Sequence, residues 1–159
     1  MTETQPLMQG KRGLIMGVAN DRSIAWGIAK TLAAHGAELA FTYQADVLER
    51  RVKPLAESLG STLMLQCDVT DDDSLDKTFS ELEERWNSLD FIVHAIAFSD
   101  KNEITGKYLN TSRSNFSLTM YVSCYSFTAV ARRSAAMMKD GGSMVTLTYY
   151  GAERVMPHY

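Results

Sequence analysis

The chain has 159 residues, with 16 Lys+Arg against 19 Asp+Glu, a formal net charge of −3, and 45% hydrophobic and 22% charged residues. That balance suits one globular domain with a sizeable core. It gives no bulk positive charge for nucleic acid, and no apolar run nears the roughly 20 residues of a membrane helix. The N-terminal MTETQPLMQGKRG is polar and has no apolar signal-peptide centre. Cys67 and Cys124 both lie in apolar stretches, so buried thiols in a reducing cytoplasm are expected rather than a disulfide framework. His35, His94 and His158 are far apart and no CxxC or HExxH spacing occurs, so no metal site is expected.

In chain order, Gly13-Leu14-Ile15-Met16-Gly17-Val18 reads as a buried strand. A polar loop, Ala19-Asn20-Asp21-Arg22, leads to a helix with Ile24, Ile28 and Leu32 on one stripe and Ala25, Ala29 and Ala33 beside it. Gly36 is placed to stop that helix. Residues 39–43 form a second strand, and residues 46–59 a charged amphipathic helix that Pro54 works against and Gly60 ends. Residues 63–67 form a third strand. Asp71, Asp72 and Asp73 then open a helix whose stripe is Leu75, Phe79, Leu82 and Trp86, and capping explains the three carboxylates.

Residues 91–98 are nearly continuously apolar and read as a fourth strand. Residues 99–114 read as a loop with one short helix, and residues 115–138 as a long helix with Phe116, Met120, Cys124, Phe127 and Ala131 on one side. Gly141-Gly142 turns the chain into a fifth strand, residues 144–148. Strands alternating with helices predict an α/β doubly wound parallel sheet in the order 3-2-1-4-5, with a ligand crevice at the carboxyl ends where the order reverses.

Each segment after a strand is therefore a candidate wall of that crevice. After the first strand there is neither GxGxxG nor a P-loop. Gly17 nevertheless allows a tight turn, Ser23 carries a hydroxyl, Ala25 and Gly27 permit close helix–sheet packing, and the helix start offers free N–H groups to an anion. Asp21 or Ser23 can equally be a plain N-cap. Asp68, after the third strand, can accept from an amino group while the next N–H meets a ring nitrogen, or it can simply cap its loop. In His94-Ala95-Ile96-Ala97-Phe98 small and large residues alternate, which suits either a flat ring against the backbone or a buried strand. His94 itself suits a hydrogen-bonded core position better than catalysis.

Gly17…Ser23-Ile24-Ala25-Trp26-Gly27, Cys67-Asp68-Val69, His94-Ala95-Ile96-Ala97-Phe98, Ser123-Cys124-Tyr125-Ser126-Phe127 and Thr148-Tyr149-Tyr150-Gly151-Ala152-Glu153-Arg154 occur in that order. Over residues 11–159 this set resembles the bacterial NADH-dependent enoyl-acyl-carrier-protein reductases, a divergent branch of the short-chain dehydrogenase/reductase family with a Rossmann-like fold. The resemblance implies reduction of a trans-2-enoyl thioester on acyl carrier protein in fatty acid synthesis, by a cytoplasmic homotetramer. It implies that Gly17, Ser23 and Ile24 hold the pyrophosphate side of NADH. Gln44 then sits by the adenosine, Asp68 and Val69 read the adenine, and Ile96 lines the nicotinamide-side ribose. Ser99 falls where the family's backbone meets the acyl substrate, and the family's two catalytic tyrosines map onto Tyr149 and Tyr159. The Tyr-x-Gly-Ala-Glu-Arg context argues against a ketoreductase of the same family.

Two departures stand out. Ala97 replaces a Gly common in the family, and the family's Lys seven positions after its second catalytic Tyr has no counterpart in 159 residues. The expectation is a single dinucleotide-binding domain, residues 1–159, truncated before the later strands and substrate loop. Alone it would be an inactive cofactor-binding fragment. Thr42-Tyr43-Gln44-Ala45 places no Arg or Lys for a 2′-phosphate, which favours NADH over NADPH.

Overall fold

A computed structural model describes residues 6–156. Five parallel strands form one sheet: β1 (Arg12–Met16), β2 (Glu38–Tyr43), β3 (Met64–Gln66), β4 (Phe91–His94) and β5 (Ser143–Thr146). Their order is β3-β2-β1-β4-β5, as the strand–helix alternation predicts. β1 is central, with Gly13 opposite Leu39 on one side and Phe91 on the other. The strands are shorter than their apolar runs. β1 ends at Met16 and β4 at His94, so residues 17–18 and 95–98 are loop, free to line a crevice.

Alternation along the strands divides the core into two layers. Leu14, Met16, Leu65 and Ile92 face Leu75, Phe79 and Leu82 of α3 (Asp72–Arg85), together with Val122, Ala129 and Val130. Ile15, Leu39, Phe41 and Val93 face Ala25, Trp26 and Ala29 of α1 (Ile24–Ala34), and Val52 and Ala56 of α2 (Asp46–Ser58). Both faces of the sheet are thus covered, as a parallel sheet requires. Gly36, at φ +92°, ends α1. The Asp71 carboxylate accepts from Asp73 N–H at 3.0 Å and caps α3. α2 runs through Pro54, which sits on its exposed side.

Three details of the sequence reading are corrected. In α1 the Ala25/Ala29 stripe is buried with Trp26, while Ile24 is 68% exposed. A Cβ on Gly27 would meet nothing within 4 Å, so that glycine does not mediate helix–sheet packing. The long helix is three pieces: α4 (Arg113–Met120), a π-helical turn (Tyr121–Tyr125) and α5 (Ser126–Ser134), with a 3-10 turn following (Ala135–Met137). Its buried side is Asn115, Val122, Ser126, Ala129, Val130 and Ser134. The Phe116, Met120 and Cys124 side is exposed, so Cys124 is not a buried thiol, whereas Cys67 is. No described helix is long and apolar enough to cross a membrane.

Candidate functional site

A cavity of about 420 Å³ opens at the carboxyl ends of β1, β2, β3 and β4, where the strand order reverses. Open α/β sheets bind ligands at this switch point. Gly17, Gln44, Asp68, Val69 and Ile96 all line it, although they come from four separate loops.

Gly17 follows β1 at φ +96°, a backbone conformation open mainly to glycine. A Cβ there would lie 2.0 Å from the Ala95 carbonyl oxygen, so the β1 and β4 loops can approach this closely only without a side chain. Ser23 takes the N-cap position of α1 but makes no hydrogen bond into the helix. Its hydroxyl oxygen instead accepts from Ala19 N–H at 3.0 Å and Asn20 N–H at 3.1 Å, shaping the loop above the helix start. The hydroxyl proton remains available as a donor. Trp26 and Gly27 N–H bond to Ser23 O, while Ile24 and Ala25 N–H have no acceptor among the described residues and present the positive end of the α1 dipole.

Asp68 is divided between two tasks. Its Oδ1 accepts from Thr70 N–H at 2.9 Å and from Thr70 Oγ1 at 2.7 Å, closing the loop after β3. Its Oδ2 accepts from Gln44 Nε2 at 3.1 Å, which joins the β2 and β3 loops. Partial burial opposes ionisation, yet the donors from Thr70 and Gln44 outweigh it and hold the carboxyl below its ordinary value. Asp68 is therefore anionic near neutral pH. Its own N–H is held by Ser74 Oγ at 2.9 Å, while Val69 N–H has no acceptor among the described residues. A fixed carboxylate acceptor beside an unused N–H donor matches the amino and ring-nitrogen edge of an adenine.

The fourth wall is residues 95–98, which face Leu118 of α4 and Val122 of the π-turn across the cavity. Ser123 Oγ accepts from Phe98 N–H at 3.0 Å and donates to Phe98 O at 3.2 Å, fixing the far end of that wall. Sequence reasoning missed this latch, as it missed Thr70, Leu118 and Val122. Asp-x-Thr is a recognisable side-chain turn and a usable signal for Thr70. Nothing in the sequence signals a π-turn.

Ser23 and the remaining described candidates, Ile24, Ser99 and Tyr149, lie outside the cavity lining. Ile24 is exposed on the α1 rim. The Ser99 hydroxyl accepts from Thr119 Oγ1 at 2.9 Å and from Asn115 Nδ2 at 3.2 Å. Tyr149 is 47% exposed beyond β5, its ring packed so near Gly151 that a Cβ there would meet it at 2.3 Å. Tyr159 lies outside the described residues.

Topology, two-sided core and switch-point crevice define a doubly wound α/β protein of the Rossmann-like class. The sequence model of the family described as Enoyl-(Acyl carrier protein) reductase matches residues 17–159, and the chain belongs to that family. It is 64% identical over its whole length to enoyl-[acyl-carrier-protein] reductase [NADH] 1 of Rhizobium meliloti strain 1021, 58% of which it covers. Among solved structures it is similar to the enoyl-(acyl-carrier-protein) reductase of Anaplasma phagocytophilum in complex with NAD. That match has TM-score 0.94 and 57% identity, covering 98% of this chain and 60% of that one. It is also similar to FabI from Candidatus Liberibacter asiaticus, with TM-score 0.92 and 59% identity, covering 94% of this chain and 58% of that one. The chain thus spans about 58–60% of the length of these relatives.

Proposed function

We propose that this chain supplies the cofactor-binding part of an NADH-dependent enoyl-acyl-carrier-protein reductase of fatty acid biosynthesis. The observation that carries the proposal is the convergence of Gly17, Gln44, Asp68, Val69 and Ile96 on one cavity in a chain of this family. The donor set fits the cofactor. The ionised Asp68 accepts from the adenine amino group and Val69 N–H donates to the ring. Ser23, with Ile24 at the start of α1, offers donors to the pyrophosphate. The small side chain of Ala95, with Ile96, leaves room for a flat ring beside the backbone. Gln44 is neutral, and the Asp68 carboxylate 3.1 Å from it repels the extra phosphate of NADPH, which supports NADH.

When bound, NADH supplies a hydride to the β-carbon of a trans-2-enoyl thioester, and a proton completes the α-carbon. Negative charge develops on the thioester oxygen. The Tyr159 phenol donates a hydrogen bond to that oxygen, and Tyr149 positions the acyl group, with the Ser99 backbone contacting the same substrate. A donor already aimed where charge appears lowers the barrier more than it aids binding. The proposal extends to acyl carrier protein as the substrate's carrier, to a cytoplasmic homotetramer, and to residues 1–159 as one dinucleotide-binding domain that is completed by later strands and a substrate loop.

The test is fluorescence titration with NADH, followed by NADH oxidation with an enoyl thioester in the complete protein that carries this sequence. Saturable binding and turnover dependent on the enoyl group are expected. Absence of NADH binding would reject the cofactor assignment, and binding without enoyl reduction would reject the substrate assignment.

A further inference from the structure

The last residue of β4, His94, is fully buried and bonded at both ring nitrogens. Nε2 lies 2.8 Å from Ser126 Oγ, and Nδ1 lies 3.1 Å from Thr146 Oγ1 at the end of β5. Ser126 gives its hydroxyl proton to Val122 O at 2.6 Å, so its oxygen must accept from the imidazole. That assigns the proton to Nε2 and makes Nδ1 the acceptor for the Thr146 hydroxyl. The ring edge meets Phe127 at 5.5 Å between centroids, which fixes its plane. The π-turn lies directly before Ser126, and Val122, whose carbonyl Ser126 binds, is one of its residues.

Four residues further along the chain, Phe98 is held by Ser123 of the same π-turn. Ser123 and Ser126 are three apart, one within the π-turn and the other directly after it. The π-turn and the first residue of α5 thus grip this stretch at both ends, through Ser126 at His94 and through Ser123 at Phe98. Between these grips, residues 95–98 form a wall of the cavity. We propose that His94 is a positioning residue: through Ser126 it locks the π-turn against the end of β4, and so fixes the wall of residues 95–98 for the bound cofactor. The wall's geometry stands on the structure, while the identity of what it faces rests on the cofactor reading above.

The test compares His94→Met, which keeps volume and loses both hydrogen bonds, with His94→Gln, whose amide can donate to Ser126 and accept from Thr146. Amide hydrogen exchange is followed at Phe98 and, as a control for global stability, at Ile15 of β1, with NADH titrations in parallel on the full chain. His94→Met is expected to speed exchange at Phe98 about tenfold more than at Ile15 and to weaken NADH about tenfold, the scale of one lost buried hydrogen bond. His94→Gln is expected to recover most of both.

Ser126→Ala, which leaves His94 in place, covers the case in which His94→Met does not fold, and it too should loosen Phe98 selectively. Exchange at Phe98 that only tracks Ile15 in these variants would overturn the proposal, as would equal losses in the Gln and Met variants. Wild-type protein that binds no NADH, with Phe98 still loosened selectively, would remove the cofactor reading and leave the latch standing.

Discussion

Asp68 spends one carboxylate oxygen on its own loop and the other on Gln44, so its charge is held in place before any ligand arrives. Preorganisation of this kind strengthens a charge-assisted hydrogen bond, because little further ordering is needed on binding. Asp68→Ala is expected to weaken NADH binding by about 1.5–3 kcal/mol, the range for a hydrogen bond to a charged group. Titration checks this, and an unchanged affinity would remove Asp68 from the site. The effect should persist until the carboxyl is protonated. Its folded value is depressed, so binding that depends on the charge is present above the ordinary carboxyl range and is lost only as pH falls through the lower folded value. For the oxyanion role proposed for Tyr159, Tyr159→Phe in the complete protein keeps the ring and removes the donor. The expected loss in kcat is about 10²–10³ with little change in KM. Steady-state kinetics decides it, since a kcat within about threefold of wild type would assign the oxyanion role to another group.

The π-turn shows why local pattern and observed burial part company in the long helix. Phe116, Met120, Cys124 and Phe127 form the more apolar stripe by sequence, yet the side facing the sheet carries Ser126, Ala129, Val130 and Ser134. Small residues there let α5 approach the sheet, and its serines satisfy their hydroxyls internally, as Ser126 does with Val122 O. Hydrophobic periodicity measures side chains one at a time and does not register that economy of space. The extra residue of a π-turn also shifts the faces before and after it relative to each other. By contrast, β1, β2 and β4 were legible because buried parallel strands are short continuous apolar runs bounded by polar loops. That part of the crevice lining was legible because it uses single residues just after β1, β2 and β3: Gly17, Gln44, Asp68 and Val69. The Ser123–Phe98 latch depends on a helical irregularity that no local signal announces.

At this scale His94 also predicts a response to acid. Burial pushes its imidazole below the ordinary value, 6.5. The unfolded chain therefore takes up the proton first, so this contribution to stability is full above about pH 6.5 and is lost as pH falls below it. Urea midpoints at pH 7.5 and 5.5 should fall more for wild type than for His94→Gln. Equal falls would place the acid sensitivity elsewhere.

The molecule as a whole is asymmetric about its sheet. β3 and β5 are its two edges among the described residues, and β5 is the less covered, with Ser143, Val145 and Thr146 exposed. Exposed Leu147, Tyr149 and Tyr150 continue that surface. A polypeptide of residues 1–159 by itself should accordingly bind NADH through the crevice but sustain no enoyl reduction, because the acyl group would lack an enclosing surface and precise placement dominates such catalysis. It should also self-associate, since an uncovered strand edge beside exposed apolar residues templates pairing. Sedimentation of material of confirmed mass, with an NADH oxidation assay, reads both. Steady turnover above the no-enzyme rate would sink the active-site assignment.

The central position of β1 governs the order in which this sheet can be assembled. Its first partner, β2, follows after one helix, so a β1–β2 pair can form while the chain is still leaving the ribosome. Its second partner, β4, is synthesised only after two further helices and β3, and until then the other edge of β1 has nothing to bond. The contact of Gly17 with the Ala95 carbonyl closes only when β4 is in place. The crevice thus cannot exist before β4 is in place, and a nascent chain stalled before Phe91 would display β1, with Leu14, Ile15 and Met16, as an open edge, a target for chaperones before it is a target for cofactor.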